Sequence, residues 1–271
     1  MVDFFSARTE VIGLFVSGSI AAATTDEYSD IDFRVVVERE SFEDFIKGHM
    51  SYPYAWGDLI CNNGGHNVSV SHFRPFNKVD IFYYAPEHLK PSPWYNLPIK
   101  ILFDPLSIIR NLIESSKSLT FAPTSAEVSI SISIGIGNLH EVYRRAQRNE
   151  LVYAQAILNS LRESIIEAED ALNDRALQGR FGCSHFEQRC PSEVQHVIMA
   201  SYTVAEKKQI LASLKDLLHL YRKQIEALHG KYSLDRDVQN DFYAIDAVLS
   251  DIEIYHRMSG YMVRGNHELR R

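Results

Sequence analysis

The chain has 271 residues, a formal net charge of −7, and 45% hydrophobic and 23% charged residues. This is the balance of an ordinary globular protein with room for two modest domains. The acidic balance argues against a broad groove for a nucleic-acid backbone, which would need a basic stripe. Cys61, Cys183 and Cys190 are too few for a disulfide framework, so we expect a reduced, cytoplasmic setting. The sequence indicates no signal peptide and no apolar run long enough to span a membrane, so we expect no membrane partner.

The first 120 residues predict an α+β domain with a mixed sheet and flanking helices. Alternating apolar residues indicate the strands, and Asn63-Gly64-Gly65 predicts a hairpin turn between two of them. In chain order the predicted elements are a helix over 2–10, a strand over 11–16, a strand over 30–37, a helix over 41–49, three strand-like runs between 55 and 84, a proline-rich loop over 86–97, a strand over 99–104 and a helix over 105–116.

Beyond residue 120 only helical patterns follow, so we predict a helical bundle over 121–271 after a first domain over 1–120. Thr124 and Glu127 have the spacing of a capping box. The next run, VSISISIGIG, alternates like a strand, but the cap and the later Leu139 and Tyr143 favour a buried helix. The other predicted helices cover 150–172, 192–201, 205–229 and 235–258, which gives a bundle of four or five helices.

The stretch VIGLFVSGSIAAATTDEYSDIDFRVVV carries the candidate site. Asp30 and Asp32 fall on one face of a strand, because strand side chains alternate with a period of two. Gly18 permits a close backbone approach, and Ser19 adds a hydroxyl and an amide just before a predicted helix. Two carboxylates beside such a turn indicate a divalent metal that carries nucleotide phosphates.

The stretch resembles the DNA-polymerase-β-like nucleotidyltransferase superfamily, whose pattern is Gly-Ser, about ten residues, and Asp-x-Asp on a strand. The resemblance implies two Mg²⁺ ions held by Asp30, Asp32 and a third acid on a neighbouring strand. Asp80, in the sequence VDIF, is the candidate for that acid, and Asp58, in GDLI, competes with it. Gly18 and Ser19 would then hold the phosphates of ATP or of another nucleoside triphosphate.

The layout of the two domains is similar to that of antibiotic nucleotidyltransferases, which include the aminoglycoside and lincosamide enzymes. The segment RNELVYA and the linker ILFDP resemble theirs. The resemblance implies that the helical domain binds the acceptor and can supply a carboxylate that takes the proton from its hydroxyl. Glu141 is the candidate for this base. Equally, Glu141 fits a plain ion pair with Arg144 or Arg145 along the helix.

The leading hypothesis is therefore a Mg²⁺-dependent enzyme that transfers a nucleoside monophosphate to a hydroxyl of a small acceptor. AMP from ATP is the leading choice for the transferred group. An aminoglycoside or a lincosamide is the leading acceptor class. A transferase that acts on a protein or on RNA is one alternative, although the acidic balance argues against RNA. A degenerate nucleotidyltransferase that serves as a binding partner or antitoxin is the other. The sequence leaves the nucleotide, the acceptor and the oligomeric state open, a homodimer included.

Overall fold

The computed structural model describes residues 1–268, together with the side chains of residues 1–179 and 181–255. The chain divides into two compact units, Met1–Thr120 and Phe121–Arg271. The fold is α+β, as predicted: the first unit contains a six-stranded mixed sheet and the second is helical. No helix within the described part of the chain is both long and apolar enough to cross a membrane.

The sheet of the first unit has the strand order β3-β4-β5-β2-β1-β6. Strands β2 and β5 pair in parallel, and the other neighbours pair antiparallel. The strands are β1 (Val11–Val16), β2 (Ile31–Val37), β3 (Leu59–Gly65), β4 (Val68–Phe73), β5 (Asn77–Tyr84) and β6 (Lys100–Phe103). The helices of this unit are α1 (Val2–Ser6), α2 (Gly18–Ala22), α3 (Arg39–Lys47) and α4 (Ile108–Ser116).

Burial explains why β1 and β2 are interior strands of the sheet. Every residue of β1 is buried, and β2 alternates between half-buried and buried positions before it ends in three buried valines. Two apolar cores cover the two sides of the sheet. One is rich in aromatic rings, with Phe5, Phe33, Phe45 and Tyr83 among its members. The other contains Phe15, and it includes residues of α4.

Among the predicted boundaries in this unit that were wrong, two have a clear physical reason. The hairpin turn lies at residues 66–67, while both glycines of Asn63-Gly64-Gly65 stay in β3. Gly64 is needed there for close approach, since a Cβ would lie 2.0 Å from the carbonyl oxygen of Val68. Helix α4 begins at Ile108 instead of residue 105. The Asp104 carboxylate accepts hydrogen bonds from the backbone N–H groups of residues 109 and 110 and thereby fixes the later start.

The second unit is a bundle. Its helices are α5 (Ser125–Gln147), α6 (Leu151–Leu172), α7 (Phe186–Arg189), α8 (Ser192–Ala200), α9 (Lys207–Lys231) and α10 (Val238–Glu268). The predicted capping box is present: the Glu127 backbone N–H donates to the Thr124 hydroxyl, and the Thr124 backbone N–H donates to the Glu127 carboxylate. The VSISISIGIG run is helical, as predicted. Ile132 is buried while Ile130 and Ile134 are exposed, because the helix divides the alternating isoleucines between core and surface.

One ion-pair network ties α9 to the start of α10. The Arg236 guanidinium donates to both carboxylate oxygens of Asp241, and a ring nitrogen of His229 lies 3.1 Å from the same carboxylate. Burial favours a higher pKa for Asp241, but the hydrogen bonds from Arg236 and His229 outweigh it and hold that pKa below its ordinary value. The charged form of Asp241 therefore contributes to the stability of the second unit.

Candidate active site

Two neighbouring strands carry the three predicted acids. Strand β5 pairs with β2 in a register that places Asp80 opposite Asp32. Asp30 directly precedes β2 and is separated from Asp32 by one residue. Because alternate residues of a strand share a face, all three carboxylates lie on one side of the sheet. The structure thus brings together Asp30, Asp32 and Asp80, while Asp58 precedes β3, on the outer side of β4.

A lysine that the motif analysis missed joins two of these acids. The Nζ atom of Lys78 donates to Asp30 Oδ2 at 2.9 Å and to Asp80 Oδ2 at 2.8 Å. Burial opposes the charge of Lys78, but the hydrogen bonds to Asp80 and Asp30 outweigh burial and raise the pKa of the lysine. Its position two residues before Asp80, on the same strand face, was the available sequence signal.

The donor atoms at this site suit a divalent cation. Carboxylate oxygens are the preferred ligands of Mg²⁺. Asp80 Oδ1 is buried and has no hydrogen-bond partner, so one carboxylate oxygen of the site is left without one. Among the side chains that the structure describes, no three from His, Cys, Asp or Glu form a group that could hold a metal as they are arranged here. Asp30 and Asp80 both contact the Lys78 ammonium, so two of the three acids already surround a positive charge.

Asp32 lies in a less polar environment than a surface aspartate. Burial raises its pKa, the nearby charges of Asp30 and Asp80 raise it further, and Arg34 and Lys78 act in the opposite direction. The Nη1 atom of Arg34 lies 3.9 Å from Asp32 Oδ1 and donates to the Asp32 carbonyl oxygen at 3.2 Å. An additional positive charge at this position would favour the ionised form of Asp32.

The Gly18 turn contacts Asp32 directly. Gly18 has a φ of +64°, in the left-handed region that favours glycine, and a Cβ there would lie 2.3 Å from Asp32 Oδ2. The backbone N–H of Ser17 donates to the Asp32 carbonyl oxygen at 3.2 Å, which fixes the turn against β2. The hydroxyl of Ser19 is buried without a hydrogen-bond partner. Glycine at position 18 is therefore required for the Asp32 side chain to occupy its place.

A cavity of about 460 Å³ opens beside Asp32 within the first unit. Its walls combine the Gly18 turn, basic side chains and aromatic rings. The lining residues are Phe15, Ser17, Gly18, Asp32, Arg34, Tyr84, His88, Lys90, Ser92, Trp94, Tyr95, Leu97 and Ile99. This combination suits a flat, anionic ligand, because rings stack on rings and cations pair with phosphate oxygens.

Arg34 is the second residue that the motif analysis missed. Its guanidinium carbon lies 4.9 Å from the centre of the Phe82 ring, and only 19% of the side chain is exposed. An arginine in the otherwise apolar run FRVVV was the sequence signal. A guanidinium held against an aromatic ring and directed along a cavity wall is a typical phosphate-binding arrangement.

Glu141 lies on α5 of the second unit. Its carboxylate accepts hydrogen bonds from Arg144 Nη1 at 2.7 Å and from Arg145 Nε at 2.6 Å. These contacts are the ion pairs of the alternative interpretation of Glu141. Its role as general base stays a prediction.

No protein-family model and no curated protein sequence matches the chain. Solved structures that are similar to it include an aminoglycoside 6-adenyltransferase from Bacillus subtilis, which aligns with a TM-score of 0.44 and 14% identity, over 91% of this chain and 95% of that one. A nucleotidyltransferase-like protein from Exiguobacterium sibiricum 255-15 aligns with a TM-score of 0.44 and 12% identity, over 96% of this chain and 89% of that one.

Proposed function

We propose that the protein is a Mg²⁺-dependent nucleotidyltransferase that moves a nucleoside monophosphate from a nucleoside triphosphate to a hydroxyl of a small acceptor. The observation that carries the proposal is the placement of Asp30, Asp32 and Asp80 on one sheet face, beside a cavity with basic and aromatic walls. ATP is the leading nucleotide. An aminoglycoside or a lincosamide is the leading acceptor class, and the second unit is proposed to bind it.

Each side chain at the site has a proposed role. Asp30, Asp32 and Asp80 would hold up to two Mg²⁺ ions, and such ions would supply neutralisation of the phosphate charge for an in-line displacement. Gly18 and Ser19 contact the phosphates, and Arg34 adds a charge-assisted hydrogen bond to them. The rings that line the cavity pack against the base.

The reaction transfers one nucleoside monophosphate group and needs no redox partner. The acceptor hydroxyl oxygen forms a bond to the α-phosphorus, the bond from that phosphorus to pyrophosphate breaks, and pyrophosphate leaves. The hydroxyl proton goes to a base, for which we propose Glu141. If Glu141 serves as the base, Glu141→Gln lowers kcat by about 10²–10⁴-fold and leaves nucleotide affinity unchanged. If it serves only its ion pairs, kcat is unchanged.

A transfer screen tests the proposal. The protein is incubated with Mg²⁺, each of the four nucleoside triphosphates and a panel of aminoglycosides and lincosamides, and products are detected by mass spectrometry. The expected product carries the mass of one added nucleoside monophosphate, and pyrophosphate is released with it. Asp30→Asn is the control, because it removes the ligand charge and keeps the side-chain shape. Wild-type product formation by that variant would exclude the proposed site.

One observation favours a second candidate, a nucleotidyltransferase fold that binds a partner without catalysis. The Lys78 ammonium contacts two of the three acids, where an active enzyme needs a metal. This candidate predicts that the protein binds neither Mn²⁺ nor nucleotide. Metal-dependent nucleotide binding would exclude it.

A further inference from the structure

Five charged side chains share one face of β2 and β5. Asp32 lies opposite Asp80, Asp30 and Lys78 come two residues earlier on their strands, and Arg34 comes two residues after Asp32. Three of the five charges are negative, so the carboxylates repel one another unless cations lie among them. Arg34 lies beside Asp32, and Lys78 joins the other two acids, with Nζ at 2.9 Å from Asp30 and 2.8 Å from Asp80.

The same two carboxylates are proposed ligands of the divalent metal. A carboxylate oxygen that accepts a hydrogen bond from an ammonium group is a poorer ligand, and the ammonium repels an incoming dication at short range. The Lys78, Asp30 and Asp80 side chains are 35%, 40% and 16% exposed, so solvent screens these interactions only in part. A free metal ion must therefore compete with Lys78 for the Oδ2 atoms of both acids.

We propose that Lys78 is a built-in competitor of the divalent metal, which weakens binding of the free ion and makes metal loading depend on the nucleotide. The nucleotide changes the balance because its triphosphate brings several negative charges to the site. These charges attract the metal and offer the displaced ammonium new partners. The inference rests on the proposed function, because it concerns the same metal ligands. It assigns to Lys78 the control of metal affinity, a role distinct from that of a ligand.

Mn²⁺ binding to the full chain tests the inference without any need for an acceptor. Isothermal titration calorimetry compares the wild type with Lys78→Met, which keeps an unbranched apolar stem and removes the charge. We expect Lys78→Met to bind free Mn²⁺ about tenfold more tightly, because two partly exposed ion pairs then no longer compete with the metal. Lys78→Gln should change in the same direction, and Lys78→Arg should stay close to the wild type. Lys117→Met is the matched control, since Lys117 is 63% exposed and, among the described side chains, pairs only with Glu114.

A second titration adds a non-hydrolysable ATP analogue. The difference between the wild type and Lys78→Met should then shrink, because the nucleotide releases the lysine in the wild type. Equal or weaker Mn²⁺ binding by both uncharged variants, with circular dichroism like that of the wild type, overturns the inference. If the wild type binds Mn²⁺ with the analogue but Lys78→Met binds free Mn²⁺ no more tightly than the wild type, only the inference fails. If no variant binds Mn²⁺ with the analogue, the proposed function fails too.

Discussion

Substitution of Gly18 by alanine should disrupt the contact between the Gly18 turn and the Asp32 side chain. The new Cβ would lie 2.3 Å from Asp32 Oδ2, closer than real Cβ contacts allow, at a φ of +64°. The left-handed backbone costs about 1–2 kcal/mol for a residue with a side chain. Relief of the contact requires the Asp32 side chain to rotate, at a further cost of about 1 kcal/mol. We therefore expect Gly18→Ala to destabilise the first unit by about 2–3 kcal/mol.

The same rotation moves a proposed metal ligand, so binding should suffer beyond the loss of stability. We expect the affinity for a Mg²⁺-nucleotide complex to fall at least about tenfold, by analogy with disturbed metal ligands. Calorimetry with a non-hydrolysable nucleotide measures the affinity. Urea unfolding followed by tryptophan fluorescence measures the stability of the first unit, because both tryptophans, Trp56 and Trp94, belong to it.

Gly57→Ala separates the close contact from the backbone strain, because Gly57 belongs to the same unit as Gly18. Gly57 has a φ of +144°, at which a side chain is strained, but nothing lies within 4 Å of the Cβ that the substitution would add. This variant should unfold at lower urea concentration in the tryptophan curve and keep full nucleotide affinity. Wild-type nucleotide affinity in Gly18→Ala would refute the proposed contact between the turn and the metal ligand.

Four further predictions concern both units. Gly135→Ala should destabilise the second unit by about 1–3 kcal/mol because its Cβ would lie 2.1 Å from the Tyr221 hydroxyl oxygen. Gly137→Ala, with nothing within 4 Å, should stabilise the same helix by about 1 kcal/mol in thermal melts. Arg34→Ala should weaken Mg²⁺-nucleotide binding about tenfold in calorimetry, and unchanged affinity would exclude a phosphate contact. Asp241→Asn should lose about 3 kcal/mol of stability at pH 7, since it leaves its half-buried partners Arg236 and His229 without the charge. The pKa of Asp241 is below its ordinary value, so this difference should shrink as the pH falls below about 4 in circular-dichroism melts and vanish once the wild-type carboxyl is protonated.

Local patterns predicted the framework of the fold well. The bounds of β1 agree with the apolar run over 11–16, and the capping box at Thr124 settled the state of the VSISISIGIG run. Both depend on residues close together in the chain. The shared strand face of Asp30 and Asp32 follows in the same way from a period of two.

Features that depend on pairing between distant segments could not be predicted from the sequence. Lys78 contacts Asp30 across 48 positions of the chain, and only the parallel register of β2 and β5 produces that contact. The sequence around Gly64 predicted a turn, because a glycine needed for close approach between strands has the same sequence signature as a turn glycine. The place of Arg34 in the cavity wall could not be predicted either, because it depends on both the pairing of the strands and the loop that closes the cavity.

The most direct test of the three-acid site is the metal dependence of nucleotide binding. Calorimetry compares the binding of a non-hydrolysable ATP analogue to the wild type and to Asp32→Asn, each with Mg²⁺ and with EDTA. We predict that the wild type binds the analogue at least about tenfold more tightly with Mg²⁺ than with EDTA, and that Asp32→Asn loses this difference while its fold is retained. Equal affinity of the wild type in Mg²⁺ and in EDTA, or an unchanged Mg²⁺ effect in Asp32→Asn, would contradict the proposed metal site.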